Sequence, residues 1–157
     1  MRFGVLAALA LCITAPAFAA FDPVEFFRGK TEGKGRLKIL FESSKRVDVK
    51  SEGYVEKDGT LVLSQLVHQE GEKPRQRYWK LRRTSPTRFT GTITDAAGPV
   101  TVDVVGDKAR IRYTMKNHMT VEQWLTPAGE RTVNNRMKVR RFGLVVARFT
   151  ETIRKLD

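Results

Sequence analysis

The feature that most constrains the fold is an alternation of apolar and polar residues that begins after Gly35 and continues almost to the C-terminus. Successive side chains of a β-strand point to opposite faces, so this pattern predicts strands with one buried face and one exposed face. No stretch after residue 30 has a convincing helical period. The segments that carry the alternation are rich in β-branched and aromatic residues: RLKILFE, RVDVKSEGYVEK, TLVLSQLVHQ, RYWKLRR, RFTGTIT, VTVDVV, ARIRYTMK and TVEQWLT.

Turn signals between these segments predict the topology. Asp58-Gly59 and Gly106-Asp107 favour two-residue hairpins, because these residues accept a positive φ with little strain. The closing segment, RTVNNRMKVRRFGLVVARFTETIRKL, divides near Phe142-Gly143 into two further strands. We expect about eight to ten antiparallel strands in succession, closed into an up-and-down barrel that leaves no exposed edge. A sandwich of two sheets is the alternative.

One short helix is predicted before the first strand. Asp22 suits the N-cap, Pro23 suits the first helical position, and Phe21 and Phe26 have the spacing of a hydrophobic staple. These features predict a helix over about Pro23 to Phe27, with its aromatic residues packed against an open end of the barrel. A membrane-surface anchor is the alternative, although one helical turn is too short to hold the protein there alone.

The N-terminus has the layout of a secretory signal peptide. Arg2 is followed by the apolar stretch FGVLAALALCIT, then by Pro16 and the small-residue site AFA. We predict cleavage after Ala19, which divides the chain into a signal peptide, residues 1–19, and one β-barrel domain, residues 20–157. The prediction places the protein outside the cytoplasm, in the periplasm or cell envelope of a bacterium.

A lipoprotein signal is the alternative for this segment, because Cys12 lies within it. The preceding Leu11 fits that signal poorly, since a lipoprotein peptidase requires a small side chain there. Cys12 is the only cysteine of the chain. After cleavage we therefore expect neither a disulfide nor thiolate chemistry.

The charge of the chain predicts anionic partners. Lys and Arg number 29 against 17 Asp and Glu, for a net charge of +12. Export removes most nucleic acid, so anionic lipid headgroups, lipopolysaccharide phosphate, acidic polysaccharide or an acidic protein are left. Arg136, Lys138 and Arg140 alternate along one predicted strand and should form an outward positive face. The alternative is that the excess charge only keeps the protein soluble.

The sequence offers little for catalysis. It has two histidines, His68 on a predicted strand and His118 in a predicted turn, which is too few for a histidine-based triad or a zinc site. Asp103 and Asp107 could form a carboxylate pair, but Asp107 has the position of a turn residue. We predict no catalytic residue, metal ligand or cofactor, and keep a carboxylate enzyme as a third hypothesis.

Two tryptophan segments suggest a ligand site. RYWKLRR and VEQWLT each mix apolar and charged residues, and a barrel that binds an amphiphile needs apolar walls together with an Arg for a carboxylate or phosphate. The alternative is that the tryptophans are ordinary core residues and the arginines lie at the rim. The predicted ligand-binding residues are Trp79, Leu81, Phe89, Ile111, Tyr113 and Trp124, with Arg77 or Arg112 for an anionic head.

Three stretches carry a family resemblance: FFRGKTEGKG, RYWKLRRTSPTRFTGTITDAAG and NNRMKVRRFGLVVARFTETIRK. Together they resemble domain-of-unknown-function family 3833, a group of small bacterial envelope proteins. The resemblance implies a lipocalin-like barrel and an envelope location, and implies no activity. Our first hypothesis is an exported lipocalin-like protein that binds a lipid or another amphiphile. The second is an interaction protein with a filled barrel that docks on anionic envelope surfaces through its basic face.

Overall fold

Ten antiparallel strands close into a barrel in the computed structural model, which describes residues 20–157. Each strand pairs with its neighbours in sequence, and the last strand pairs with the first. The prediction of an up-and-down barrel is thus confirmed. The predicted signal peptide lies outside the described residues. The elements are helix α1 (Pro23–Phe27) and strands β1 (Gly29–Ile39), β2 (Lys45–Val55), β3 (Leu61–Gln69), β4 (Arg75–Ser85), β5 (Arg88–Ile93), β6 (Val100–Val105), β7 (Lys108–Thr114), β8 (Thr120–Pro127), β9 (Thr132–Arg141) and β10 (Leu144–Lys155).

Strand β1 begins seven residues before the alternation becomes visible in the sequence. Thr31 already pairs with Ser51 of β2 on one side and with Lys155 of β10 on the other. Gly33 and Gly35 follow at inward positions. Because glycine has no side chain, the alternation cannot be read there, although both residues are part of the ladder that closes the barrel.

Helix α1 forms as its capping residues predict. The Asp22 carboxylate accepts a hydrogen bond from the Val24 amide at 2.9 Å, and the rings of Phe21 and Phe26 lie 5.7 Å apart. Val24 and Phe26 are buried in the main core cluster. The helix therefore covers one end of the barrel, with its apolar face against the interior.

The other end of the barrel, which we call the mouth, follows from the topology. Since α1 precedes β1, the connections β1–β2, β3–β4, β5–β6, β7–β8 and β9–β10 all lie at the end opposite the helix. The main core cluster includes Leu61, Phe89 and Leu125 near the helix. A smaller cluster, Val47, Val49, Val67 and Phe149, lies nearer the mouth. Within residues 20–157, no helix is long and apolar enough to cross a membrane.

Candidate functional site

A cavity of about 110 Å³ lies inside the barrel. Its lining runs from Pro23 and Phe27, beside the helix, to Gln69 and Arg75 at the mouth. Most of the wall is apolar. Four of the predicted ligand-binding residues line this cavity: Arg77, Trp79, Leu81 and Ile111.

Phe89 and Tyr113 are buried but lie outside the cavity lining. Phe89 is fully buried in the core, with the guanidinium of Arg83 stacked 4.5 Å from its ring. Tyr113 packs edge to face on Trp79, with the ring centroids 6.1 Å apart, and burial raises the pKa of its hydroxyl. Tyr113 therefore supports the Trp79 indole, and Phe89 is part of the packed core.

Arg112 and Trp124 lie on the outer surface, so the prediction that they line the interior is corrected. Arg112 follows the inward Ile111 in β7, and adjacent strand residues face opposite sides. It donates a hydrogen bond to Asp103 at 2.9 Å. Trp124 precedes the buried Leu125 in β8 and lies against Arg110, whose guanidinium carbon is 5.5 Å from the indole centroid.

Asp103 organises the outer surface around Arg112. It accepts a hydrogen bond from Arg88 at 2.8 Å, and Arg110 lies 3.8 Å away. Partial burial of Asp103 would raise the pKa of its carboxyl, but the hydrogen bonds from Arg88 and Arg112 hold that pKa below its usual value. The carboxylate therefore stays charged and accepts hydrogen bonds from the guanidinium groups of Arg88 and Arg112 on the outer surface.

The cavity wall carries a first group of polar side chains on β2, β3 and β4. Gln65 Oε1 accepts hydrogen bonds from Trp79 Nε1 at 2.7 Å and from the Arg77 guanidinium at 3.2 Å. Gln65 Nε2 donates to Ser51 Oγ at 3.2 Å. This network orients the Trp79 indole and the inner end of Arg77. The Arg77 Nε atom lies 3.9 Å from Asp95 Oδ2, so the two side chains form an ion pair, but this distance is beyond that of a hydrogen bond.

A second polar group lies across the cavity on β8, β9 and β10. Gln123 Nε2 donates to Asn135 Oδ1 at 3.2 Å, and Asn135 Nδ2 donates to Glu151 Oε2 at 3.0 Å. Glu151 is only 9% exposed. Burial raises the pKa of its carboxyl above the usual value, against the opposing effects of the Asn135 hydrogen bond and the positive charge of Arg77. Gly33 makes the room, because a Cβ there would collide with Glu151 Oε1.

Two buried polar atoms of these groups have no hydrogen-bond partner among the atoms of residues 20–157. They are Arg77 Nε, a donor, and Gln123 Oε1, an acceptor. Buried polar groups are nearly always paired, so unpaired atoms beside a cavity indicate where a bound molecule would be recognised. The arrangement offers one guanidinium donor, one amide acceptor and one carboxyl group within apolar walls.

The predictions included Arg77 and Trp79 but missed Gln65, Gln123, Asn135 and Glu151. A signal for them exists in the sequence. Each is a polar residue flanked two positions away by apolar residues that share its face, as Gln123 is by Val121 and Leu125. A polar residue in the buried phase of a strand indicates either a polar network or a ligand contact.

The described part of the chain, residues 20–157, has no group of three or more His, Asp or Glu side chains arranged to hold a metal ion. Asp103 and Asp107, the carboxylates that the sequence suggested as a pair, do not line the cavity.

Solved structures share this fold at low sequence identity. An S-type phycobiliprotein lyase, CPES from Guillardia theta, aligns with a TM-score of 0.65 at 7% identity, over 85% of this chain and 90% of that one. Rv2717c from M. tuberculosis aligns with a TM-score of 0.66 at 12% identity, over 87% and 99%. These likenesses establish a lipocalin-like barrel.

A protein of unknown function from the DUF3598 family of Nostoc punctiforme also aligns, with a TM-score of 0.66 at 11% identity. The alignment covers 93% of this chain but 53% of that protein, which is therefore considerably longer. A search of curated proteins found no match. The family model for DUF3833, described as a protein of unknown function, matches residues 13–155, and the chain therefore belongs to the family that its sequence resembles.

Proposed function

We propose that the protein binds a small amphiphilic molecule inside its barrel, after export to the bacterial envelope. The observation that carries the proposal is the pair of unpartnered buried atoms, Arg77 Nε and Gln123 Oε1, in a cavity that also contains Glu151. The predicted signal peptide supports the location. The lipocalin-like barrel supports binding as the function, because such barrels enclose ligand cavities.

The polar groups define the chemistry of the ligand. An unpartnered buried donor or acceptor costs about 1–3 kcal/mol, and a ligand group that pairs with it removes that cost. The ligand would accept a hydrogen bond from Arg77 and donate one toward Gln123 or Glu151. A hydroxyl, amide or carboxylic acid attached to an apolar body has these properties.

The volume limits the size of the ligand. Drug-sized ligands occupy roughly 300–1,000 Å³, whereas a cavity of about 150 Å³ accepts a benzene ring. At about 110 Å³, the interior is smaller than that and accommodates a short alkyl segment. A longer chain requires the side chains near the mouth to move. Arg75, Gln69 and Met137 line that part of the cavity and are long, unbranched and incompletely buried.

Native mass spectrometry of the protein purified from its own envelope fraction tests the proposal. We expect a discrete bound mass, recovered by organic extraction. Arg77→Met should weaken ligand retention by about tenfold or more, because a hydrogen bond from a charged group contributes about 1.5–3 kcal/mol. Arg112→Met is the matched control, since it removes a guanidinium from the outer surface and should retain the ligand.

Added probes test the proposal if the native ligand dissociates during purification. Butanol, butanoate and butylamine differ only in the polar group and carry a short alkyl segment, and their binding inside the barrel should change the fluorescence of Trp79. A Trp124→Phe background removes the outer tryptophan from the signal. A ligand-free mass, together with no saturable response to any of the three probes, would contradict the proposal.

A further inference from the structure

Two neighbouring hairpins at the mouth expose apolar side chains. We define the paired tips as residues 40–44, between β1 and β2, and residues 142–143, between β9 and β10. Phe41 is 97% exposed and Phe142 is 92% exposed, with Leu40 and Leu144 exposed beside them. The tips are held side by side, because Ile39 pairs with Ala147 and the Leu40 amide donates to the Val146 carbonyl at 2.9 Å.

The backbone conformation makes both phenylalanines unusual. Phe41 has φ = 65° and Phe142 has φ = 49°, in the left-handed region where a bulky side chain is strained and Asn or Gly is preferred. Neither residue is buried, and the Arg141 guanidinium, 5.5 Å from the centroid of the Phe142 ring, leaves that ring exposed, so packing within residues 20–157 offers little compensation for the strain. Strained residues of this kind are often retained where they contact a partner.

The walls below the tips carry an excess of positive charge. Residues 36–48 and 136–148 together contain nine Lys and Arg but only two carboxylates, Glu42 and Asp48. Lys38 lies directly opposite Arg148, and Arg148 lies directly opposite Lys138. We call these three residues the basic row. Like charges in this arrangement repel each other and destabilise a sheet.

The acidic residues of the described chain neutralise this row only in part, because Glu122 lies directly opposite Lys138 in the sheet but its carboxylate pairs with Arg140, at 4.0 Å. Among residues 20–157, no carboxylate lies within 4.0 Å of Lys38, Lys138 or Arg148. An anionic surface brought against the mouth would offset the repulsion. Its phosphates would lie at the level of the basic row while the tips extend beyond that row.

We propose that the paired tips dock on the surface of an anionic phospholipid bilayer. Phe41 and Phe142 insert into the boundary between headgroups and acyl chains, and Lys38, Lys138 and Arg148 contact lipid phosphates. Apolar insertion and electrostatic attraction act together, because neither a few aromatic residues nor a basic patch gives stable attachment alone. Docking in this orientation turns the mouth of the barrel toward the membrane.

Co-sedimentation with lipid vesicles tests the proposal. The purified protein should sediment with vesicles of phosphatidylcholine mixed with phosphatidylglycerol, and much less with phosphatidylcholine alone. The double variant Phe41→Asn, Phe142→Asn should reduce the affinity by about tenfold or more, since each lost insertion removes a buried aromatic side chain. Asn is favoured at both backbone positions, so this variant should fold at least as well as wild type.

Two further variants separate the contributions. Tyr54→Thr removes an exposed aromatic residue near the helix end of the barrel and should leave vesicle binding unchanged. The triple variant Lys38→Gln, Lys138→Gln, Arg148→Gln should lower the affinity and weaken its dependence on salt, because screening acts on the charges that it removes.

Three outcomes would overturn the proposal. The first is wild-type protein that does not sediment with the mixed vesicles, and the second is undiminished sedimentation of the Asn double variant. The third is concentration-dependent dimerisation in analytical ultracentrifugation that the double variant abolishes, with no binding to vesicles. That result would assign the paired tips to contact with a second copy of the chain.

Discussion

Polar side chains inside the barrel are the residue-scale feature that best separates a binding site from an ordinary core. An all-apolar interior would need no Gln65, Gln123, Asn135 or Glu151, and replacing buried polar groups by apolar ones of similar volume is often neutral or stabilising. Gly33 extends the argument, because it provides the space that Glu151 occupies. These residues therefore support the proposed binding of a ligand inside the barrel.

Glu151 should make the stability of the fold depend on pH. Its raised pKa means that the folded state holds the proton more tightly than the unfolded chain, so raising the pH favours unfolding. The contribution of Glu151 to the free energy of unfolding should fall as the pH rises from the unfolded pKa of about 4.5 toward the raised folded pKa, and then stay constant. The fall is about 1.4 kcal/mol for each unit by which the pKa is raised.

Glu151→Gln removes this titration while keeping the shape and the acceptor for Asn135. In urea unfolding across this pH range, the stability of the variant relative to wild type should therefore increase with pH. Glu130→Gln changes an exposed carboxylate in the β8–β9 connection and should follow wild type. A difference between Glu151→Gln and wild type that does not vary with pH would show that Glu151 titrates alike in the folded and unfolded chains.

At the scale of elements, Gly53 fixes the contact between helix α1 and the barrel. A Cβ on residue 53 would collide with the Phe27 carbonyl oxygen, which is backbone and cannot rotate away. Gly53→Ala should therefore displace the helix and destabilise the protein by about 1–3 kcal/mol, as overpacking does. Thermal or urea unfolding measures the loss.

Gly98→Ala is the matched control for the helix contact. It adds the same methyl group in the β5–β6 connection, where nothing lies within 4 Å of the new Cβ. Its stability should remain within about 0.5 kcal/mol of wild type, as for most surface substitutions. Equal stability of both variants would mean that α1 is not closely packed on β2.

The strands themselves were predictable from the alternation, but the faces of some strands were not. In β8, Trp124 and Leu125 are adjacent, so only one can face inward, and the larger residue was the wrong choice. Leu125 is 1% exposed, while Trp124 shares the outer face with the arginines of β7 and β9. Residue size does not decide this choice, because the face depends on the register of both neighbouring strands.

The candidate site was predictable only in part, for a related physical reason. Arg77 and Trp79 could be found because an aromatic and a basic residue share one phase of a single strand. The second polar group comes from β8, β9 and β10, and its members meet only when these three strands pair in register. No pattern within one strand indicates that Gln123, Asn135 and Glu151 are within contact of each other.

At the scale of the whole molecule, closure gives the barrel two different ends. Helix α1 covers one, held by Asp22, which pairs with Arg83, and by Lys155, which donates to the carbonyls of Glu25 and Phe26. The mouth carries the paired tips and the basic row. If both proposals hold, the end at which a ligand enters is also the end that meets the membrane.

Cleavage of the predicted signal peptide would place the protein outside the cytoplasm, and its N-terminus tests that prediction. Cleavage after Ala19 would leave Ala20 as the first residue, directly before Phe21 and the N-cap Asp22, so the barrel would keep the contacts that α1 makes within residues 20–157. The chain recovered from the envelope fraction should therefore begin at Ala20, as intact mass and N-terminal sequencing would show.

Ala19→Asp places a charge where the cleavage site requires a small residue, so the uncleaved precursor should accumulate in the membrane. Ala20→Ser, on the other side of the bond, should be processed normally. A mature chain that begins at a lipid-modified Cys12 would contradict this prediction and would tether the barrel through its N-terminus, at the helix end.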